Sequence, residues 1–143
     1  MEKYNATLKL TSIIDDSQDD KIEFIADCGF YFKNDTYFIM YEEKKEMGMN
    51  DCSVTIKVKD DNVSIMRKGE FSSKMVYKNG DVSEVMYHTP YGEISMYITT
   101  KSVKNALSVM GGKMELLYDM EIEGEKSNHY LLLEVSLNKN EGE

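Results

Sequence analysis

The chain has 143 residues, enough for one domain with a real core, and 26 acidic against 17 basic side chains give a formal charge of −9. That balance argues against nucleic acid and anionic membrane as partners, since both attract basic surfaces, although a local basic patch could survive it. No apolar run approaches the ~20 residues of a membrane-spanning helix.

The first residues lack the basic start and apolar stretch of a secretory signal. Cys28 and Cys52 are too few and too isolated for a disulfide scaffold. The expectation is a cytoplasmic, reduced protein with both thiols unpaired.

Tyr4, Ala6, Leu8 and Leu10 alternate with polar residues, the period of a strand with one buried face. Asp15–Asp20 lacks the glycine and distant glutamate of a calcium-binding loop and reads as an exposed, mobile acidic turn. Ile22, Phe24, Ala26, Cys28, Phe30 and Phe32 then recur at every second position. A hairpin turn at Asn34-Asp35 sets Phe32 opposite Tyr37, Phe30 opposite Ile39 and Cys28 opposite Tyr41.

Glu42 to Asp51 is polar and reads as a loop. Val54, Ile56 and Val58 form a strand, Asp60-Asp61-Asn62 turns the chain, and Val63, Ile65 and Arg67 share the next inward face. Phe71, Ser73, Met75 and Tyr77 lead to Asn79-Gly80, a strong hairpin signal. A two-residue loop there turns Val82, Glu84, Met86 and His88 inward; a bulge would instead turn Val85 and Tyr87 inward.

Thr89-Pro90-Tyr91-Gly92 reads as a tight corner, with φ of Pro90 already set for the first inner position. Ile94, Met96 and Ile98 continue as a strand. Lys101 to Met110 has only a weak pattern, consistent with a loop, an irregular strand or a helical turn. Met114 to Ile122 and Leu131 to Leu137 are the last strands, separated by a turn from Gly124 to Asn128, and 139–143 is a frayed tail.

The whole is a single domain over 1–143, all-β. It reads as one antiparallel barrel of about eight to ten strands without a long helix, an architecture that leaves no edge unpaired. The outward Phe38, Met40, Met66, Tyr97, Leu117 and Leu132 are apolar, and clustered they would support a homodimer.

Several segments together resemble the YwiB-like proteins, an uncharacterised bacterial family of calycin, or lipocalin-like, β-barrels. They are Tyr37-Phe38-Ile39-Met40-Tyr41-Glu42, Val63-Ser64-Ile65-Met66-Arg67-Lys68-Gly69, Tyr87-His88-Thr89-Pro90-Tyr91-Gly92, Gly112-Lys113-Met114-Glu115-Leu116-Leu117-Tyr118 and Ser127-Asn128. The resemblance implies a barrel and no established activity. By analogy with the wider calycin group it implies a small ligand inside.

Arg67, the only arginine, is the sharpest candidate site residue. An inward guanidinium needs compensation. It anchors a ligand carboxylate or phosphate, or pairs with Glu84 or backbone carbonyls. Tyr41 and Tyr118 are inward by parity and their hydroxyls need partners. Glu84 and His88 share a face but stand about 13 Å apart along a strand, too far for an acid–base pair. His129 falls in the polar turn and reads as exposed.

No thiol nucleophile, zinc pattern or phosphate loop is present, so no cofactor, metal or enzyme activity is expected. The first functional reading is a barrel binding a small, partly apolar or anionic ligand near Arg67, Tyr41, Glu84, His88 and Tyr118. The second is an interaction module whose barrel is filled by its own side chains.

Overall fold

The computed structural model describes residues 3–15, 19, 21–47 and 49–138. Most of the acidic turn after Asp15 and the whole 139–143 tail lie outside the described residues.

Among the described residues, alternation of apolar and polar residues builds ten strands. They are β1 (Tyr4–Ile14), β2 (Ile22–Lys33), β3 (Thr36–Glu43), β4 (Cys52–Lys59), β5 (Asn62–Gly69), β6 (Ser73–Lys78), β7 (Val82–Thr89), β8 (Gly92–Ser108), β9 (Gly111–Ile122) and β10 (Glu125–Leu137). A 3-10 turn lies at Lys45–Met47, between β3 and β4.

Each strand pairs antiparallel with its sequence neighbour except β6 with β7, and β1 also pairs with β10. The sheet thus curls until its two edges, β6 and β7, meet. Among the described residues, one bridge, Ser72 with His88, spans that seam. The result is a nearly closed antiparallel barrel.

Tight turns set the register. Asn34 and Asp35 both have positive φ, at 53° and 60°, the conformation of a two-residue hairpin turn whose twist matches the strands. Phe32 duly pairs with Tyr37 and Phe30 with Ile39. Thr89 and Gly92 flank Pro90-Tyr91, and the Thr89 hydroxyl donates to the Gly92 carbonyl (2.8 Å).

The structure corrects three expectations and decides one that was open. The β2–β3 ladder ends at Gly29–Met40, so Cys28 and Tyr41 are not paired. Glu42 and Glu43 belong to β3 rather than to a loop. Of the readings open for Lys101 to Met110, the irregular strand holds: Lys101–Ser108 continues β8 beyond an irregularity between Thr100 and Ser102. That extra residue moves the inward set from Met96, Ile98 and Thr100 to Val103 and Leu107, which erases the strand pattern from the sequence.

The last correction concerns β7, where the second of the two readings, with Val85 and Tyr87 inward, holds. Asn79-Gly80 does form a turn, closed by the Asp81 N–H to the Lys78 carbonyl (2.9 Å), with Gly80 at the φ of 84° that favours glycine. However, the corner bonds to β8, through Gly80 to Thr100 and Thr100 to Asp81, rather than opening a regular hairpin. The Ser72–His88 bridge is one residue out of step with a two-residue loop. Val85 and Tyr87 therefore face the core, while Glu84 and His88 lie on the outer face.

The end of the barrel carrying the β3–β4, β5–β6, β7–β8 and β9–β10 turns is called upper here. Leu8, Phe30, Ile39, Ile56, Tyr77, Met114, Leu116 and Leu133 pack the middle and lower half with almost no accessible surface. The inward Leu10, Phe24, Tyr87, Tyr118, Met120 and Leu131 of the upper half are only partly buried.

Candidate functional site

In β3 the inward positions run Tyr37, Ile39, Tyr41, and the next is Glu43. In β5 they run Val63, Ile65, Arg67. Both strands flank β4, where Val54 pairs with Tyr41 and Arg67, and Cys52 pairs with Glu43 and Gly69. The Arg67 and Glu43 side chains meet above β4: Nε donates to Oε1 at 3.2 Å and Nη2 to Oε2 at 3.5 Å. The Tyr41 hydroxyl donates to Glu43 Oε2 at 3.0 Å.

Burial is the largest influence on Arg67 and works against its charge, but Glu43, together with smaller contributions from Tyr41 and Tyr77, holds the guanidinium protonated above its ordinary range. Burial and then Glu43 push the Tyr41 phenol above the tyrosine range, with Arg67 opposing. Tyr41 is therefore a neutral donor at any physiological pH.

A second polar group faces them. The rings of Tyr77 and Tyr118 lie 4.8 Å apart, and the Tyr77 hydroxyl donates to the Met75 sulfur, Sδ, at 3.4 Å. Tyr118 stacks on His129 with centroids 5.0 Å apart and planes within 7°. The His129 Nε2 is 2.7 Å from the Ser127 hydroxyl. Burial lowers the His129 pKa, with Asp15 and Asp119 opposing, so the ring is neutral at pH 7.

The Cys52 thiol donates to the Phe71 carbonyl (3.3 Å), and Phe71 meets Tyr87 edge to face. Among the described residues, the buried Ser73 Oγ and Thr100 Oγ1 have no hydrogen-bond partner. Ser73 stands across from Arg67, and Thr100 across from Tyr118. Such orphaned hydroxyls are uncommon in a finished core.

The wall also parts between β2 and β3 above Gly29–Met40. An open depression of about 530 Å³ lies there, bounded by Ala26, Asp27 and Cys28 on one side and Met40, Tyr41 and Glu42 on the other. Phe24 packs on Tyr41 across the gap, centroids 5.6 Å apart.

Of the residues singled out in the sequence, Arg67, Tyr41 and Tyr118 come together inside the upper barrel. Glu84 and His88 do not join them. Glu84 accepts a bond from Ser95 (3.4 Å) on the outside, and His88 Nδ1 lies 3.2 Å from Glu93, both well exposed. The reading of His129 as an exposed turn residue is also corrected, because β10 begins at Glu125 and the ring stacks inward.

Glu43 was legible in principle as the next odd position after Tyr41. His129 was equally legible from its parity with Leu131. Among the described residues, no cluster of three or more His, Cys, Asp or Glu is arranged to hold a metal. Nor is any helix long and apolar enough to cross a membrane.

The outward apolar residues do not form one patch. Phe38, Met40 and Met66 share the β3–β5 face, Tyr97 lies on β8, and Leu117 and Leu132 lie on β9 and β10.

Residues 8–133 match the family described as a domain of unknown function, DUF1934. The uncharacterized beta-barrel protein YwiB of Bacillus subtilis (strain 168) is 27% identical over 124 residues, 86% of this chain and 85% of that protein. The crystal structure of the ywiB protein from Bacillus subtilis has a TM-score of 0.84 at 24% identity, covering 96% of this chain and 94% of that one. At that identity the likeness speaks for the fold.

Proposed function

The chain belongs to the DUF1934 family, and we propose that it binds a small, partly apolar ligand bearing a hydrogen-bond acceptor in the upper half of its barrel. The ligand lies among Phe24, Tyr87 and Tyr118, with its acceptor towards Arg67. One observation carries this reading. Arg67 points inward, yet its side chain keeps 25% of its surface accessible, and Glu43 occupies only the Nε and Nη2 side of the guanidinium.

A guanidinium offers five N–H donors in a fixed fork, so the Nη1 edge is available. Because Glu43 already balances the charge, the acceptor need not be a full anion. The orphaned Ser73 and Thr100 hydroxyls support the same reading, since a guest or water would satisfy them. The analogy to calycin barrels agrees with it at the level of fold. Two free thiols, Cys28 and Cys52, support a reducing cytoplasmic compartment.

The packed lower half favours, as a second reading, a barrel without a guest that acts through its surface.

Titration with anilinonaphthalene sulfonate, which pairs an apolar body with an acceptor group, separates the two. The expected result is saturable one-to-one fluorescence enhancement, weakened by Arg67→Met and abolished by Phe24→Trp, which enlarges the ring at the upper end of the barrel. Absent or non-saturable enhancement, or enhancement indifferent to both variants, overturns the ligand reading.

A further inference from the structure

Lys57, Lys59, Lys68, Lys74 and Lys78 all stand exposed on the outer face of β4, β5 and β6, and no outward position on these strands carries a carboxylate. Among the described residues, none of the five is ion-paired; the lysines that are paired, Lys9, Lys21, Lys45 and Lys101, lie elsewhere. The formal charge of −9 is an average from which this face departs.

The register lays the lysines out in rows. Lys59 and Lys78 flank Asn62, Lys57 lies beside Ser64, Lys74 beside Met66, and Lys68 beside Ser53. Successive rows are two residues, or roughly 7 Å, apart along the strands. Neighbouring lysines stand within about one Debye length of each other, so they repel unless a polyanion covers them.

At the edge of the same face lies an aromatic pair. Tyr31 and Phe38 stack with centroids 4.6 Å apart and planes within 6°. The Lys57 Nζ sits 5.7 Å from the Phe38 ring centre.

The geometry points to a binding face for single-stranded nucleic acid. The lysine rows take successive phosphates, and the Tyr31–Phe38 pair offers a surface for a base. Unpaired cationic rows beside outward aromatics on a sheet are what single strands use: phosphates supply the affinity, and ring stacking tolerates any sequence. A lipid surface would also be drawn by lysines, but the half-buried Phe38 and Met66 form a floor rather than a wedge that inserts between headgroups. The acidic remainder of the barrel repels phosphate and confines the strand to this face.

The test is fluorescence anisotropy with a labelled, mixed-sequence single-stranded RNA and the 143-residue chain at low salt. Its duplex and phosphatidylserine-containing vesicles serve as competitors. The expected result is binding that weakens with salt at a slope of about −2 to −4, the value for roughly three to five phosphate contacts on a single strand. Lys57→Gln with Lys74→Gln should weaken it about tenfold or more, and Tyr31→Ala should weaken it without changing the slope. These surface changes leave the fold intact, which the melting curve checks. No binding at low salt, stronger binding to duplex or vesicles, or affinity unaffected by the lysine changes overturns the proposal. So does concentration-dependent self-association that the lysine changes abolish while RNA does not bind, since that result gives the face to a second copy.

Discussion

Arg67 and Glu43 stand on strands that do not pair with each other, yet their side chains meet over β4, with Nε 3.2 Å from Oε1. The pair is mostly screened from solvent, so each partner relies on the other to offset its lost hydration. Arg67→Met leaves the Glu43 carboxylate uncompensated and should destabilise the protein by about 2–4 kcal/mol. Arg67→Met with Glu43→Leu should recover much of that loss. Urea denaturation of the two single variants and the double gives the coupling energy. A coupling near zero, or one found with Glu84→Leu instead, would overturn the pairing.

Both cysteines should resist alkylation in the folded protein. Cys28 and Cys52 are free and buried. Burial pushes the Cys28 thiol up to about 11, with Asp27 adding to the shift, so almost no thiolate is present at neutral pH. Iodoacetamide should add nothing to native protein and two groups in guanidinium, read by intact mass. A rapid single addition to native protein would contradict this environment.

Most of the barrel was legible because strands with one buried face announce themselves. Phe30 opposite Ile39 followed from a two-residue turn and parity alone. The rest depended on irregularities that closure of the barrel imposes from a distance. The extra residue between Thr100 and Ser102 reverses parity within β8, so its second half carries no clean period. The offset at the β6–β7 seam is set by β8, which captures Gly80 and Asp81, and no neighbouring residue signals it. Arg67 was therefore placed rightly, but Glu84, one of the partners considered for it, lies outside, and Glu43 takes that role. Glu84 was inward only while the seam was taken as regular. Glu43 was passed over because its polar neighbours resembled a loop.

Acidification should destabilise the protein in part through His129. Burial depresses its folded pKa below the unfolded value of 6.5, so the folded state binds fewer protons than the unfolded one, and stability rises with pH across this range. The contribution is complete above that unfolded value and is progressively lost as pH falls below it. His129→Gln keeps a ring-sized polar group beside Ser127 but cannot titrate. Melting temperatures compared between about pH 7.5 and 5.5 should drop further for wild type than for the variant. An equal drop in both would remove His129 as a source of the slope.

The seam itself makes the sharpest prediction, because two adjacent residues of β7 exchange roles with its register. Val85 is 2% exposed and Met86 is 43% exposed. A regular two-residue hairpin at Asn79-Gly80 would reverse them, sending Met86 inward and Val85 out. Val85→Asp puts a carboxylate into the core beside Met96 and should cost several kcal/mol, the scale for an unpaired buried charge, or prevent folding. Met86→Asp meets water and should stay within about 1 kcal/mol of wild type. Val85→Ala serves where the aspartate variant does not fold, and should still cost about 1–3 kcal/mol through the lost methyl groups and the cavity they leave. If Met86→Asp proves the damaging substitution and Val85→Ala is neutral, β7 runs in the regular register. Glu84 and His88 would then return to the interior, and the arrangement around Arg67 would have to include them.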